Sequence, residues 1–389
     1  AAREITYLYP KTLTNTMKIN PFRMERWQST WENRVRFNLS ESGVHPMTPT
    51  ELLELAGADP QDLLNERLVY NQSNGTDELR ASVASIYPGA EIENVMVSNG
   101  GSEANYVTTW KLLEPGDVAV MQAPNYMQMW GTADAFAQEV RAFNLVEERG
   151  WAPDLDELAE RVDDSVKLII VTNPNNPTGA ILTPAEIDRI VAIADGVGAW
   201  IVSDEIYAGA ELDGVWSPTF WGRYDKLVIT SGLSKAYGLP GLRLGWVVGP
   251  ADFVADLWSY KDYTSIAPGT LSDLCARIAL EPDTRARIYE RTQKILNTNF
   301  QPLAAWLAER SDIFDYVTPR AGAICYTRYD LDINSSELAQ RLKDEQSVLV
   351  VPGDHFNMDG YLRIGYGVPK PELLEALDRV EVVLRSVTE

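Results

Sequence analysis

The chain has few of the residues that build metal sites, disulfide frameworks or hydrolytic triads. Its 389 residues include only two histidines, His45 and His355, and two cysteines, Cys275 and Cys325. Each cysteine lies in an apolar stretch without metal-site spacing, so we expect buried, inert thiols. Neither histidine has a supporting motif. The sequence therefore predicts no bound metal and disfavours a zinc enzyme or a Ser-His-Asp hydrolase.

Long hydrophobic runs are also missing. No stretch reaches the roughly eighteen consecutive apolar residues of a membrane span, and no basic segment followed by an apolar one opens the chain. We therefore expect neither a span nor a signal peptide, and a cytoplasmic location. The formal net charge is −22 at pH 7, with the acidic residues spread along the chain. Such a surface repels nucleic acid and anionic lipid, so we expect neither as a partner.

The middle of the chain alternates short apolar strands with helical patterns. Hydrophobic residues make up 45% of the sequence, and the length is sufficient for two domains. The predicted strands are 95–98, 118–122, 168–172, 200–204 and 227–230. This alternation is typical of βαβ units and predicts an α/β fold with a mostly parallel central sheet.

The pattern changes after about residue 285 to a long charged helix over about 283–310, short strands, and a closing helix from Pro369. We predict a large domain of residues 46–285 and a second, smaller α+β domain of residues 286–389. Residues 1–45 are predicted to form an N-terminal arm and part of the small domain. The first 31 residues are rich in aromatics and arginine without clear periodicity, so a solvated tail is an open alternative.

One segment, KLVITSGLSKAYGLPGLRLGWVVG at 226–249, combines a lysine and an arginine in a setting suited to chemistry. Lys235 follows a buried strand, where partial burial lowers its pKa and favours Schiff-base formation with an aldehyde. Arg243 lies between Gly241 and Gly245, which let backbones approach closely, so its guanidinium can bind a phosphate through two hydrogen bonds. An aldehyde and a phosphate together describe pyridoxal phosphate. A helix-start lysine and a structural arginine are the alternatives.

Two more motifs follow predicted strands. In VMVSNGGSEA at 95–104 a Gly-Gly-Ser turn opens a helix, whose free N–H groups can seat a phosphate. NPNNPTG at 173–179 forces a loop at the carboxyl end of a strand, where ligands bind in α/β sheets.

In WIVSDEIY at 200–207 a buried strand runs into Asp204. A carboxylate there is costly to bury unless a cation faces it, and the nitrogen of a pyridinium ring is such a cation. A cap on the next helix is the alternative reading of this aspartate.

In this order the motifs resemble those of class I/II pyridoxal-phosphate aminotransferases of fold type I, from about Tyr70 to Arg363. The resemblance implies the fold of a type I pyridoxal-phosphate transferase and pyridoxal 5′-phosphate as the cofactor. It implies an enzyme that moves an amino group from an L-amino acid to a 2-oxo acid through a Schiff base on Lys235. It also implies a homodimer.

The resemblance further implies a role for each matching residue. The cofactor contacts are Gly100, Gly101, Ser102 and Arg243 at the phosphate, Tyr126 on the ring face, Asn176 and Tyr207 at the phenolic oxygen, Asp204 at the ring nitrogen, Lys235 at the aldehyde, and Tyr70 from the neighbouring subunit. The substrate contacts are Arg363 at the α-carboxylate, with Asn176, Glu41, Ser42 and Gly43. The expected catalytic residues are Lys235, Asp204 and Tyr207. A simple turn is an equally open reading of the segment at 41–43.

The chain departs from the family pattern in two respects. The family usually has Ser or Thr three residues before the lysine as a phosphate ligand, and here that residue is Gly232. Ser231 or Ser234 is expected to substitute. The second arginine that marks dicarboxylate specialists is not found, so aspartate or glutamate as the donor has no support.

Two other functions are open. The stretches ESGVH at 41–45 and LSKAYGLPGLRLGW at 233–246 are similar to the capreomycidine synthase branch of the family. That similarity favours β-elimination, β-replacement or cyclisation of an arginine-like amino acid, with Glu41 facing a cationic side chain. The more remote alternative is a non-catalytic pyridoxal-phosphate-binding protein. Regulators of that kind generally carry a DNA-reading domain, and this acidic chain has no basic patch for one.

Overall fold

The structure of the protein is a computed structural model that describes residues 19–388. Residues 1–18 of the predicted N-terminal arm lie outside the described residues. The strands are β1 (Phe37–Asn38), β2 (Val95–Ser98), β3 (Val118–Ala123), β4 (Glu139–Val146), β5 (Ala152–Pro153), β6 (Val166–Thr172), β7 (Trp200–Asp204), β8 (Leu227–Gly232), β9 (Gly245–Val248), β10 (Phe314–Tyr316), β11 (Ile324–Tyr329), β12 (Val348–Leu349), β13 (Val351–Pro352) and β14 (Tyr361–Gly365).

The helices alternate with these strands through the middle of the chain. They are α1 (Arg23–Trp31), α2 (Pro49–Ala56), α3 (Pro60–Leu64), α4 (Asp77–Ala84), α5 (Gly101–Leu112), α6 (Gln128–Phe136), α7 (Leu155–Arg161), α8 (Pro184–Val197), α9 (Ala251–Lys261), α10 (Thr270–Leu280), α11 (Pro282–Ala308), α12 (Ser335–Gln346) and α13 (Lys370–Thr388). The predicted helix over 283–310 is α11, and the predicted closing helix is α13. Helix α1 was not predicted, although Met24, Trp27 and Trp31 stand at helical spacing within it.

The largest sheet has eight strands in the order β2-β9-β8-β7-β6-β3-β4-β5. Strands β8, β7, β6, β3 and β4 pair in parallel, while β9 is antiparallel to both of its neighbours and β5 is antiparallel to β4. The prediction of an α/β fold with a mostly parallel central sheet is confirmed. Strand β6 begins at Val166, two residues before the predicted start, because the exposed Lys167 interrupts its apolar run.

Helices cover both faces of this sheet. Ile169 and Val171 of β6 pack into a core with α8, α10 and α11, while Leu168 and Ile170 pack into a second core with α5, α6 and α9. Strands buried on both faces appear in a sequence as continuous apolar runs. For this reason the sequence alone could locate these strands more readily than the helices.

The ends of two helices follow from local sequence. The Thr48 and Thr183 side chains each accept a hydrogen bond from the backbone N–H three residues on. The Glu51 and Glu186 carboxylates in turn accept hydrogen bonds from the backbone N–H groups of Thr48 and Thr183. A proline then occupies the first helical position, where its missing N–H costs nothing. These capping boxes fix the starts of α2 and α8.

A smaller sheet lies in the last part of the chain. Four antiparallel strands pair in the order β10-β11-β14-β13, and the short β1 pairs in parallel with β12. Phe37 and Asn38 therefore contact the last part of the chain. The domain bounds at residues 45 and 285 stay a prediction.

Cys275 and Cys325 are free and buried, and burial raises the pKa of both thiols. Across residues 19–388, no helix is long and apolar enough to cross a membrane.

From the burial of the central strands we predict that a core substitution destabilises the protein more than a surface substitution. Ile229 of β8 is fully buried, whereas Val215 is 65% exposed. We expect Ile229→Ala to lower the free energy of unfolding by about 2–5 kcal/mol, because it leaves a cavity that the sheet cannot close. Val215→Ala is the control and should change it by less than about 0.5 kcal/mol. Urea unfolding at matched protein concentration measures both. Equal losses would contradict the assignment of Ile229 to the core.

Candidate active site

The carboxyl ends of β6, β7 and β8 open into a cavity of about 320 Å³. The predicted site residues that line it are Glu41, Ser42, Gly101, Ser102, Tyr126, Asn176, Asp204, Tyr207, Ser234, Lys235, Arg243 and Arg363. They come from seven separate segments of the chain. The fold therefore brings most of the predicted residues to one place, and the role of each stays a prediction.

Lys235 lies in the turn after β8 with its side chain 24% exposed, and its Nζ is 3.5 Å from the Glu41 carboxylate. Burial alone lowers the pKa of this lysine, but the nearby Glu41 and Tyr207 outweigh it, so the pKa is raised. The predicted lowering is wrong. The sequence showed the buried strand but not the distant carboxylate. In return, Lys235 lowers the pKa of Glu41.

Asp204 ends β7 with a buried carboxylate. One oxygen accepts a hydrogen bond from Asn105 Nδ2 at 2.9 Å and the other from the Ile206 N–H at 3.1 Å. Burial raises the pKa of Asp204 to about 6, although both bonds act against the shift. A carboxylate in this state is stabilised by any cation that enters the cavity.

Arg363 projects from β14 and is buried. Its guanidinium donates to Asn176 Oδ1 at 2.8 Å and to the Ser40 carbonyl oxygen, while its Nε has no hydrogen-bond partner among the described residues. Asn176 therefore presents its amide N–H₂ as the remaining donor. A buried guanidinium with an unsatisfied N–H fits an anionic ligand in this cavity.

Two tyrosines form part of the cavity wall. Tyr207 donates from its hydroxyl to Ser42 Oγ at 2.8 Å, and both residues are buried. Tyr126 donates from its hydroxyl to Glu25 Oε1 at 2.7 Å. The predicted aromatic wall is thus held by a carboxylate that the sequence analysis did not single out.

The Arg243 guanidinium lies against the turn at Gly100 and Gly101. Gly100 has φ +89°, and a Cβ there would lie 2.4 Å from a nitrogen of the Arg243 guanidinium. Only glycine allows the arginine to lie against this turn. Gly101 and Ser102 begin α5, whose first N–H groups have no partner within the helix.

Gly232 replaces the usual Ser or Thr because the sheet leaves no room for a side chain. A Cβ at Gly232 would lie 2.8 Å from the carbonyl oxygen of Leu244, the residue just before β9. Of the two proposed substitutes, Ser234 lines the cavity, whereas Ser231 donates its hydroxyl to the Glu205 carbonyl oxygen at 3.2 Å. Gly43 packs on Lys235, since a Cβ there would be 3.2 Å from the Lys235 Cα.

Tyr70 is a predicted site residue that lies outside this arrangement. Its side chain is 92% exposed, and it does not line the cavity of its own chain.

The sequence analysis missed three polar residues of the N-terminal segment. Glu25, Gln28 and Glu32 all line the cavity. Their spacing of three and four residues puts them on one face of α1 and its C-terminal end. That spacing was the only available signal, and it could not show which element the face packs against. Burial and the fields of Glu41 and Glu25 raise the pKa of Glu32.

These groups fit pyridoxal 5′-phosphate. Gly101, Ser102 and Arg243 offer donors for a phosphate, Asp204 faces the cavity as a buried carboxylate without a full counter-charge, and Lys235 supplies the amine. The volume also falls within the range of small-molecule sites.

The fold and this cavity define a pyridoxal-phosphate-dependent protein of fold type I. The profile described as aminotransferase class I and II matches residues 38–380, so the chain belongs to that family. Its cofactor is pyridoxal 5′-phosphate.

Known proteins resemble the chain along almost its full length. Capreomycidine synthase of Streptomyces vinaceus is 33% identical over 362 residues, which is 91% of each protein. A pyridoxal-phosphate-dependent aminotransferase from Streptococcus suis 89-1591 has a TM-score of 0.89 at 32% identity, covering 96% of this chain and 99% of that one. The pyridoxal-phosphate-dependent cyclase OrfR, solved in complex with Au, has a TM-score of 0.86 at 26% identity, covering 97% and 100%.

The contact between Lys235 and Glu41 predicts a pH effect. In Glu41→Gln the carboxylate that raises the pKa of Lys235 is gone, so the neutral amine should form at lower pH. The rate at which an amine-acylating reagent modifies Lys235 in cofactor-free protein, followed by peptide mass spectrometry, measures the midpoint. Glu54→Gln is the control, because Glu54 is exposed on α2 and loses the same charge. An unchanged or higher midpoint in Glu41→Gln alone would refute the coupling.

Proposed function

We propose that the protein is an aminotransferase that moves an amino group from an L-amino acid to a 2-oxo acid. The observation that supports this most is the convergence of Lys235, Asp204 and Arg363 in one cavity. An amine, a buried carboxylate and a buried guanidinium there match an aldehyde, a ring nitrogen and an α-carboxylate. The similarity to the S. suis aminotransferase is consistent with it.

Each side chain has a distinct part in this proposal. When bound, pyridoxal phosphate supplies the aldehyde and an electron-accepting ring. Asp204 holds a proton on the ring nitrogen by charge and hydrogen bonding. Arg363 and Asn176 orient the substrate through its α-carboxylate, which puts the α-carbon within reach of Lys235. The freed Lys235 amine then removes the α-proton as a general base.

The acidic wall of the cavity favours a second candidate, a cyclising or β-replacing reaction on an arginine-like amino acid. Glu25, Glu32 and Glu41 all line the cavity. Among residues 19–388, Glu41 is the only one of the three with an ion-pair partner, Lys235, which the cofactor would engage. A guanidinium on the substrate side chain would neutralise this wall. For ring closure, a side-chain nitrogen forms a bond to the β-carbon and releases a proton as a β-substituent leaves with its electron pair. The similarity to capreomycidine synthase supports the same candidate.

We also propose a homodimer. Tyr70 lies beside Leu68 at 78% and Val69 at 52% exposure, and the Val69 carbonyl oxygen accepts a hydrogen bond from Thr270 at 2.5 Å. Tyr263 on the adjoining segment is 83% exposed. Exposed apolar side chains gathered in this way are typical of an interface between chains.

The cytoplasmic location stays a prediction.

Single-turnover reactions without an amino acceptor separate the two candidates. A transaminase should release one equivalent of 2-oxo acid per site and no ammonia, and then stop. In a separate sample, borohydride should fix the cofactor to Lys235. Lys235→Ala should abolish turnover, and that result would exclude a non-catalytic protein. Arginine, its neutral analogue citrulline, and an arginine analogue with a leaving group on its β-carbon are the informative substrates.

Repeated turnover of that analogue without an acceptor, with no 2-oxo acid, would reject transamination and support the cyclising candidate. In either case Glu32→Gln should reduce the preference for arginine over citrulline, with Glu54→Gln as the control. An unchanged preference would reject the acidic wall as a selector.

Mixing two inactive variants tests the dimer and the part of Tyr70. If Tyr70 completes the partner's site, a mixture of Tyr70→Ala and Lys235→Ala chains should regain activity. Each heterodimer then has one site carrying both changes and one carrying neither. If Tyr70 acts within its own chain, every site carries a change and no activity returns. Light scattering gives the mass, and a fully active particle of 43.4 kDa would contradict the dimer.

A further inference from the structure

Two buried polar side chains stand behind the Asp204 carboxylate. Asn105 Nδ2 donates to Asp204 Oδ2 at 2.9 Å, and the Thr230 hydroxyl donates to Asn105 Oδ1 at 2.6 Å. All three residues are buried, and Thr230 has no exposed surface. Thr230 lies within the segment 226–249 and Asn105 directly follows the motif at 95–104, but the sequence analysis gave neither residue a role.

The sheet determines this arrangement. Asp204 and Thr230 are Cα partners in the parallel pair β7 and β8, so their side chains point to the same face. Helix α5 packs on that face, and Asn105 lies in its second turn. One asparagine can therefore contact both strands.

The carboxylate fixes which end of the amide it meets, and the threonine binds the other end. An asparagine side chain has one acceptor end and one donor end. Because an ionised carboxylate only accepts hydrogen bonds, the Nδ2 end faces Asp204, and the Oδ1 end then accepts from the Thr230 hydroxyl. The Ile206 N–H donates to the other carboxylate oxygen at 3.1 Å, so each oxygen has one fixed donor. The carboxylate cannot rotate without breaking both bonds.

We propose that Thr230 and Asn105 form a buried hydrogen-bond relay that positions Asp204 and thereby keeps a proton on the ring nitrogen of the bound cofactor. Both are positioning residues that act through Asp204. The inference rests on the proposed function, specifically on the part given there to Asp204.

Two other ionisable groups near Asp204 bear on its charge. Lys235, in the turn after β8, favours the ionised carboxylate. Glu205 is the next residue along the chain, but its carboxylate accepts hydrogen bonds from Thr219 and from the Phe220 N–H. Burial raises the pKa of Glu205 to about 7, so it contributes less than a full negative charge near neutral pH. The relay supplies the only neutral side-chain donor to Asp204 among the described residues.

The test uses the holoenzyme loaded with cofactor carrying nitrogen-15 in the ring. The nitrogen-15 chemical shift reports directly whether the ring nitrogen is protonated. In Thr230→Val the Asn105 Oδ1 loses its donor, so the amide is held less firmly and its hydrogen bond to Asp204 weakens. We expect the signal to move toward the unprotonated ring at neutral pH. The acid limb of kcat should move up by about one pH unit, the scale of one hydrogen bond to a charged group, with KM little changed.

The controls separate the relay from packing. Thr230→Ser keeps the hydroxyl and should restore both readouts. Thr108 lies on α5 with Asn105, and its buried hydroxyl has no hydrogen-bond partner among the described residues. Thr108→Val removes that hydroxyl and should leave the nitrogen-15 shift and the pH profile unchanged. Asn105→Leu should act like Thr230→Val but more strongly. If it does not fold, the Thr230 series still decides the matter.

A nitrogen-15 signal in Thr230→Val equal to that of the unaltered enzyme, or an equal change in Thr108→Val, would overturn the relay. The failure of the proposed function has a different signature. In that case borohydride does not fix the cofactor to Lys235, or Lys235→Ala retains turnover.

Discussion

The parallel register of β6, β7 and β8 is the constraint on which the site depends. Thr172, Asp204 and Thr230 are Cα partners across these strands. Because the strands are parallel, the loops that leave their carboxyl ends all begin at one edge of the sheet. Asn176 and Lys235 follow two of these strands and meet there. A slip of one residue in β7 would turn Asp204 to the opposite face and separate it from Asn105.

The cavity holds more charge than its own residues neutralise. Its acidic side chains are Glu25, Glu32, Glu41 and Asp204, and its basic side chains are Lys235, Arg243 and Arg363. Burial raises the pKa of Asp204, and the Arg363 Nε is left without a hydrogen-bond partner among the described residues. Groups buried in this way cost stability unless a ligand completes their interactions. Such local conflicts are expected where a fold is shaped for a ligand.

Helix α1 contacts two parts of the cavity wall. Glu25 accepts a hydrogen bond from the Tyr126 hydroxyl, and Gln28 donates one to the Ser40 carbonyl oxygen at 2.8 Å. The same carbonyl accepts a hydrogen bond from Arg363. One face of α1 is therefore linked by hydrogen bonds both to Tyr126 and, through Ser40, to Arg363.

The sequence by itself determined the strands and the loops that follow them, because doubly buried strands are continuous apolar runs broken by Pro, Gly or a charged residue. That was enough to locate Lys235, Asp204 and the loop that carries Asn176. It also determined the cofactor, because an ordered set of motifs resembles one family.

Only the tertiary structure decided what surrounds these residues. Helical spacing puts Glu25 and Glu32 on one face, but packing decides that this face meets the cavity. Glu41 reverses the expected direction of the Lys235 pKa, because a carboxylate far along the chain lies 3.5 Å from the amine. Asn105 reaches Asp204 only because α5 packs across two paired strands. In each case the interaction joins segments distant in sequence, and local patterns contain no information about such distances.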